Sequence, residues 1–426
     1  MGVKTNRRGT GLAPKGKDKA GGKDAPTHGD RHRPRILTDR EVRHRALARL
    51  LPLLAASLPR RKSSPKLLRR TSDRQLRAAA RHSSIARART RSKRGHSERH
   101  SRRVPEHLVR RKTQRALTLA LREQARPFLP PHPVDVTIDF HDRPYYGQPQ
   151  DARRYQAVKT KEERGTHRAH RFASVSILLP RFRLIASLRF HPRNGGTLAA
   201  VRAALHDFQM VGGKLRAVFL DWGLYTYVAL SWLKAQGITA VAPLGLGSRP
   251  RKKWQRGKRS YSTIHTLKGP RREDPPLEVT IHAVVRYQIG REWDRHGCQH
   301  LIYAVLGDMS LKEVADRYRR RFGIKSNYKI LGQTMGRTSS RSPALRLLPV
   351  GVGVLLQNEG VILKLLYASE GRQGTGGFRI REELLRVEDL LQMLLRAVGY
   401  RLGNVCAVEN RRRLPARLRR QGLTLL

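Results

Sequence analysis

Apolar and polar positions follow two regimes along the chain, and the change falls near residue 130. Between residues 35 and 128, Ile36, Val42, Ala46, Leu50, Leu51 and Leu54 recur at roughly helical spacing without strand-like alternation, which predicts short helices. Arg/Ser runs such as residues 87–94 lie between them and read as flexible tethers. After Pro130, Pro131 and Pro133 the period becomes two, with Val134, Val136, Ile138 and Phe140 on one face of a predicted strand. Residues 172–179 and 182–190 are two more β-rich runs, joined through a hairpin at Pro180 and Arg181. Residues 197–209 return to helical spacing through Leu198, Val201, Ala204, Leu205 and Phe208. A strand over 216–221, a helix over 225–236 closed by Gly237, and a strand over 239–242 follow. Residues 243–275 are rich in Gly, Arg and Lys, and β-prone runs resume at 277–287 and 300–305. A last helix begins at Ser310, which stands three residues before Glu313 as in a capping box. Residues 345–367 read as a buried helix pair, because Gln357, Asn358, Glu359, Gly360 and Lys364 interrupt the apolar run. Residues 382–397 are amphipathic, either a helix packed on the core or an oligomer contact.

Composition adds a partner to this outline. The chain has 426 residues, enough for two or three domains. It carries 89 Lys+Arg against 32 Asp+Glu, a net charge of +57. Such a chain repels itself unless a polyanion screens it, and phosphate backbones do so with release of counterions. An ordinary metabolic enzyme is therefore not the expectation. The first 130 residues hold 37 Lys+Arg and 9 Asp+Glu, so charge density is highest there. Residues 1–34 have almost no apolar content and are predicted to be disordered. Two cysteines, Cys298 and Cys406, exclude a disulfide framework or a Cys-rich zinc site and suit a reducing compartment. The polar N-terminus lacks the apolar core of a signal peptide, and the run at 46–58 is too short to span a bilayer. The expectation is a soluble, cytoplasmic protein without a membrane partner, associated with the nucleoid when bound to DNA. Gly245 and Gly247 are followed by no Gly-Lys-Ser/Thr, which leaves a nucleotide triphosphatase unsupported.

The order of elements, β, β, β, α, β, α, β, is by analogy that of a ribonuclease-H-like domain. The predicted fold class is α/β: a mixed sheet with helices, and a basic strand-rich insertion at about 243–308 ahead of the last helix. The division is a basic tail over 1–34, a basic helical DNA-binding region over 35–130, the ribonuclease-H-like domain over 131–368, and a basic amphipathic helical region over 369–426. Asp139 and Asp221 end two predicted strands that this order places side by side.

The residues around these aspartates carry a family resemblance. Ile138, Asp139, Phe140, His141, Asp142, Arg143, Pro144, Tyr145, Tyr146 and Gly147 together resemble the first-aspartate motif of DDE-type insertion-sequence transposases. Leu220, Asp221, Trp222, Gly223, Leu224 and Tyr225 resemble the second, and Gly165 to Phe172 resemble the run between them. The third motif is Tyr-x-x-Arg-x-x-x-Glu, onto which Tyr318, Arg321 and Lys325 fall without gaps. Thr338, Ser339, Ser340, Leu345, Arg346 and residues 355–358 are similar to the family's helical cover, so the resemblance spans about 134–368. It implies Asp139 and Asp221 as ligands of Mg²⁺ or Mn²⁺ in two-metal strand cleavage and transfer. It also implies double-stranded DNA, as transposon ends and target, as the partner, with a homodimer as one assembly. Tyr318, Arg319, Arg320, Arg321 and Lys329 are the expected DNA contacts, and Trp222 is placed to stack on an unpaired base.

Lys325 stands where the family has its third acid, and a protonated lysine repels a metal. Three readings stay open. The chain binds DNA without cutting it; or Glu313 or Asp316 supplies the carboxylate from roughly 13–18 Å away along the helix; or Lys325 pairs with the aspartates or contacts the scissile phosphate. A catalytically inactive, transposase-derived DNA-binding protein is the alternative to an active transposase. A basic RNA-associated protein would explain the charge but not the motifs. His141, His167 and His170 have no zinc spacing and read as polar strand-end residues, although His170 also suits a phosphate. Asp142 reads as a turn acid.

Overall fold

Three helices, α1 (Asp39–Ser57), α2 (Pro65–Ala80) and α3 (Glu106–Ala125), lead into the sheet. The computed structural model describes residues 37–57, 64–81, 106–163, 165–244, 253–287, 298–321, 331–338, 340–371, 378–381 and 383–401. The expected tail at 1–34, together with Lys325, Lys329, Cys406 and the basic end beyond residue 401, lies outside the described residues.

The sheet is built on β1 (Val134–Pro144). Strands β2 (Val158–Glu163), β3 (Thr166–Leu178) and β4 (Arg183–His191) form a meander in which β3 pairs antiparallel with β1, from Asp135 opposite Leu178 to Pro144 opposite Ala169. After helix α4 (Thr197–Val211), strand β5 (Leu215–Leu220) returns parallel to β1 on its other side, with Leu220 opposite Ile138. Helix α5 (Tyr227–Ala235) leads to β6 (Ala240–Pro243), parallel to β5. The order β4-β3-β1-β5-β6, three antiparallel strands followed by two parallel ones reached through helices, is the ribonuclease-H-like arrangement, and the fold class is mixed α/β. Local chemistry sets the joints. Gly212 takes φ +97° to end α4, and the Thr226 hydroxyl accepts the Ala229 N–H to start α5.

The basic insertion does not form a separate lobe. Strands β7 (Tyr261–Leu267), β8 (Leu277–Tyr287) and β9 (Cys298–Leu306) pair antiparallel in sequence, and β9 pairs with β6, so they widen the same sheet. Strand β2 was not read from the pattern, because its charged residues (Lys159, Lys161, Glu162) hide the alternation.

Each face of the sheet carries its own core. Val136, Ile138 and Val218 pack with Val201, Leu205 and Phe208 of α4 and Leu230 and Leu233 of α5. On the other face, Phe219, Val241, Tyr303 and Val305 pack with Val314 and Tyr318 of helix α6 (Leu311–Arg321). Ser310 and Glu313 start α6 by exchanging bonds, Ser310 N–H to the Glu313 carboxylate (3.0 Å) and Glu313 N–H to the Ser310 hydroxyl (3.3 Å).

Beside β4 lies a helical layer. Residues 345–367 belong to a single helix, α7 (Pro343–Tyr367), rather than a pair. Apolar residues of α1 (Val42, Leu50, Leu53) and α3 (Leu117, Leu121) pack with Leu347, Val354 and Leu355 of α7 and with Leu390 and Leu394 of α8 (Val387–Arg401). The tethered helices expected over 35–128 thus share one core with the C-terminal helices, within a unit spanning Leu37–Leu426. Helix α7 is the one described helix long and apolar enough to cross a membrane, and 72% of that stretch is buried inside the protein.

The polar residues that break the pattern of α7 have partners. Asn358 accepts the Ile185 N–H (2.9 Å) and donates to the Ile185 carbonyl (2.8 Å), while Gln114 of α3 donates to Leu188 O (2.5 Å) and accepts the Phe190 N–H (3.0 Å). Two carboxamides therefore close the edge of β4 against unwanted pairing. Glu359 accepts from Arg45 and from Gln124, fastening α1 and α3 to α7. Asn358→Leu leaves the Ile185 N–H and carbonyl buried without partners, and urea unfolding is expected to show a loss of about 2–5 kcal/mol.

Candidate functional site

The parallel pairing of β1 with β5 brings Asp139 beside Asp221. Val136 and Ile138 point into the core with α4 and α5, so alternation turns Asp135 and Asp139 to the face covered by α6. Strand β1 continues to Pro144, so Asp139 lies within the strand, whereas Asp221 is the first residue after β5. The Asp221 N–H bonds to Ile138 O at 3.1 Å, which sets the register of the two acids.

Arg321, 7% exposed at the end of α6, reaches both. Its Nη2 lies 2.5 Å from Asp221 Oδ1 and 3.5 Å from Asp139 Oδ1, and its Nη1 donates to the Tyr318 hydroxyl at 2.7 Å. One turn earlier, Arg317 holds Asp135 through two bonds of 2.7 and 3.0 Å, and Arg216 holds the same carboxylate from β5. Two arginines four apart on a helix thus meet two aspartates four apart on a strand. Neither Asp135 nor Arg317 was singled out as a site residue. The signal was present in the matched spacing, but only packing pairs the two elements.

Burial is the largest influence on Asp139 and pushes its pKa from 3.8 up to about 7. Arg321 opposes that rise, while the nearby Asp221 and the hydrogen bond shared with it add to it. Burial works against the charge of Arg321, but Tyr318, Asp139 and Asp221 outweigh it and raise its pKa. The Tyr318 hydroxyl is held well above its ordinary value, chiefly by burial.

Several expected DNA contacts sit elsewhere than on the surface. Tyr318 is 1% exposed, with its ring between Phe219 and Tyr303, and Arg321 is committed to the acids, so neither offers a group to a DNA surface. The reason is periodicity: both lie on the same stripe of α6 as Val314, which faces the sheet. Arg319 and Arg320 are exposed, and Trp222 is 65% exposed on the turn after Asp221. Glu313 caps α6 and has no part in the acid pair. Asp142 pairs with Arg171 through two bonds of 2.7 and 2.8 Å. His170 is fully buried, donates to Tyr155 O at 2.9 Å and is pushed down to about 4, first by burial and then by Arg346, so it has no access to a phosphate.

With Asp139 deprotonated, the two neighbouring carboxylates outweigh the Arg321 guanidinium and carry a surplus negative charge, which Arg171 tempers at Asp221. That donor set suits a hard divalent cation, which takes one or two protein carboxylates and completes its shell with water and phosphate oxygens. Asp139 and Asp221 therefore fit Mg²⁺ or Mn²⁺, provided Arg321 releases them. Among the described residues no group of three Asp, Glu, His or Cys side chains forms a fuller cage.

No protein-family model matches the sequence, and no curated protein matches it. Seven solved chains are similar in structure. One, a cryo-EM structure of the piggyBac transposase synaptic complex with hairpin DNA, has a TM-score of 0.47 and 10% identity. It covers 90% of this chain and 75% of that one.

Because Asp139 holds its proton more tightly folded than unfolded, protonation favours the folded chain. Its contribution is complete below about pH 4 and is lost as pH rises to about 7. The stability difference between the natural protein and Asp139→Asn, followed by denaturant unfolding, is expected to change across that window and be flat above it. Arg321→Met strands the buried Asp139 and the half-buried Asp221 and is expected to lower stability at neutral pH by about 3–5 kcal/mol.

Proposed function

We propose that this chain is a DDE-type DNA transposase that binds transposon-end DNA and carries out metal-dependent strand cleavage and transfer. The observation that carries the reading is the placement of Asp139 on β1 beside Asp221, which directly follows the adjacent parallel β5 in a ribonuclease-H-like sheet, with the pair short of positive charge when both are ionised. The motif resemblance around both residues and the net charge of +57 point the same way.

In this reading Asp139 and Asp221 hold Mg²⁺ or Mn²⁺, which when bound activates the attacking oxygen and stabilises the leaving one at phosphorus. The rest is done by side chains of the chain itself. Asp139, whose proton affinity burial raises, would give up its proton to take the metal at its carboxylate oxygens. Arg321 holds the two carboxylates side by side and would have to release them to the metal. Tyr318 keeps that guanidinium in place through its hydroxyl. Arg319 and Arg320, exposed beyond the pair, bind backbone phosphates and fix register without reading sequence. Trp222 offers an exposed ring to an unpaired base beside the acids.

A second reading, a transposase-derived protein that binds DNA without cutting it, is favoured by two specific features. Arg321 already neutralises part of the charge a metal would need, and Lys325 takes the family's third acid position. Cleavage of a DNA end with Mn²⁺ separates the two. The first reading expects slow cleavage by the natural protein, lost by at least about 100-fold in Asp139→Asn and in Asp221→Asn, and a faster rate in Lys325→Glu. If neither the natural protein nor Lys325→Glu cleaves, while DNA binding persists and weakens steeply with salt, the second reading holds.

A further inference from the structure

A cavity of about 530 Å³ opens beyond the end of β1, apart from the acid pair. Four arginines line it, Arg143, Arg337, Arg341 and Arg346, together with Tyr146, and no acid is among its lining residues. Its size suits a nucleotide or part of one. The arginines divide by role. Arg346 is pinned in the wall, donating from Nε to Ser340 O (2.7 Å) and from Nη1 to Pro144 O (2.8 Å). Both partners are uncharged carbonyls, so its position is fixed while its charge is not neutralised. Burial accordingly lowers its pKa, against smaller opposing effects of Tyr146 and Tyr145. Arg143, from β1, lies against the uncharged thioether of Met335. Arg337 and Arg341 are exposed, and one carboxylate, Asp151, reaches Arg341 at 3.3 Å. Tyr146, 62% exposed, presents a ring beside them.

A planar guanidinium held in place without a counter-charge is a preorganised receptor for a phosphate, which it binds through two parallel N–H groups. An aromatic ring beside such a group accepts any base by stacking. Arg143 and Asp139 share one face of β1, four residues and roughly 13 Å apart. At an axial rise of about 3.4 Å per nucleotide, that is a span of about four nucleotides.

We propose that this pocket receives a phosphate of a DNA strand, with its nucleotide against Tyr146, a few nucleotides away from the phosphate that faces Asp139 and Asp221. The anion site stands on the arginines themselves; the identity of its ligand as DNA rests on the DNA-binding reading above.

The test uses the full chain at physiological salt and a labelled single-stranded oligonucleotide, with inorganic pyrophosphate as competitor. The variants are Arg337→Glu/Arg341→Glu, Arg337→Glu alone, Tyr146→Ala, and a charge-matched control, Arg271→Glu/Arg272→Glu, on the exposed turn between β7 and β8. Thermal unfolding checks that each keeps its fold. The pocket double variant is expected to weaken oligonucleotide binding at least about 10-fold more than the control and to abolish competition by pyrophosphate. Arg337→Glu alone gives a smaller loss of the same kind. Tyr146→Ala weakens the oligonucleotide several-fold and leaves pyrophosphate competition in place. Equal losses in the pocket and control variants overturn the proposal, because general charge would then explain binding. So does pyrophosphate binding with unchanged oligonucleotide affinity, which marks a small-anion site, or no oligonucleotide binding at all. Failure of the catalytic reading is distinct: strand cleavage is absent while the pocket variants still lose the oligonucleotide.

Discussion

Two guanidinium groups on one helix hold two carboxylates on one strand, and the placement of the site follows from that clasp. Arg317 grips Asp135 and Arg321 grips Asp139 and Asp221, so α6 is fixed along the face of β1 and β5 by charge as well as by Val314 and Tyr318. Burying ions is costly unless every one is paired. At Asp135 the pairing is complete, with two arginines on one carboxylate. At Asp139 and Asp221 it is not, with one guanidinium for two acids. The two clasps thus lie side by side and differ in charge balance, and at Asp139 burial first, then the neighbouring Asp221, raises the proton affinity against the pull of Arg321.

The helical layer does for the sheet edge what α6 does for its face. Strand β4 ends the meander and would expose backbone donors and acceptors, and Asn358 and Gln114 take them up. The buried polar residues of α7 are consistent with a helix that has to bind backbone as well as fill space. Positive charge is then left for the outer surfaces, where Arg319 and Arg320 sit, and for the arginine-lined cavity beyond β1, where two carbonyls hold Arg346.

Much of this was legible along the chain. The period-two run at residues 134–140, the hairpin after it, the alternation of helix and strand to residue 242, and the capping box at Ser310 all rest on local geometry. Neighbouring residues decide them. The placement of β2 was not legible, because a strand at a solvated edge need not alternate. The widening of the sheet by β7–β9 was not legible either, since antiparallel strands carry no mark of which edge they will join. The single helix at Pro343–Tyr367 was misread because buried Asn358 and Glu359 look like breaks until their distant partners are known.

The chain by itself determined the type and order of the elements, the excess of basic charge, the two strand-borne aspartates and the basic stripe on the last helix of the sheet domain. Only the tertiary structure decided which of those charges meet. It turned Tyr318 and Arg321 inward, joined Arg317 to Asp135, drew the N-terminal helices into one core with α7 and α8, and collected four arginines around one cavity. The physical reason is range. Periodicity and capping act over a few residues and are written in the local sequence, whereas ion pairing and burial depend on groups such as Arg321 and Asp139, 182 residues apart in the chain, being brought within a few ångströms.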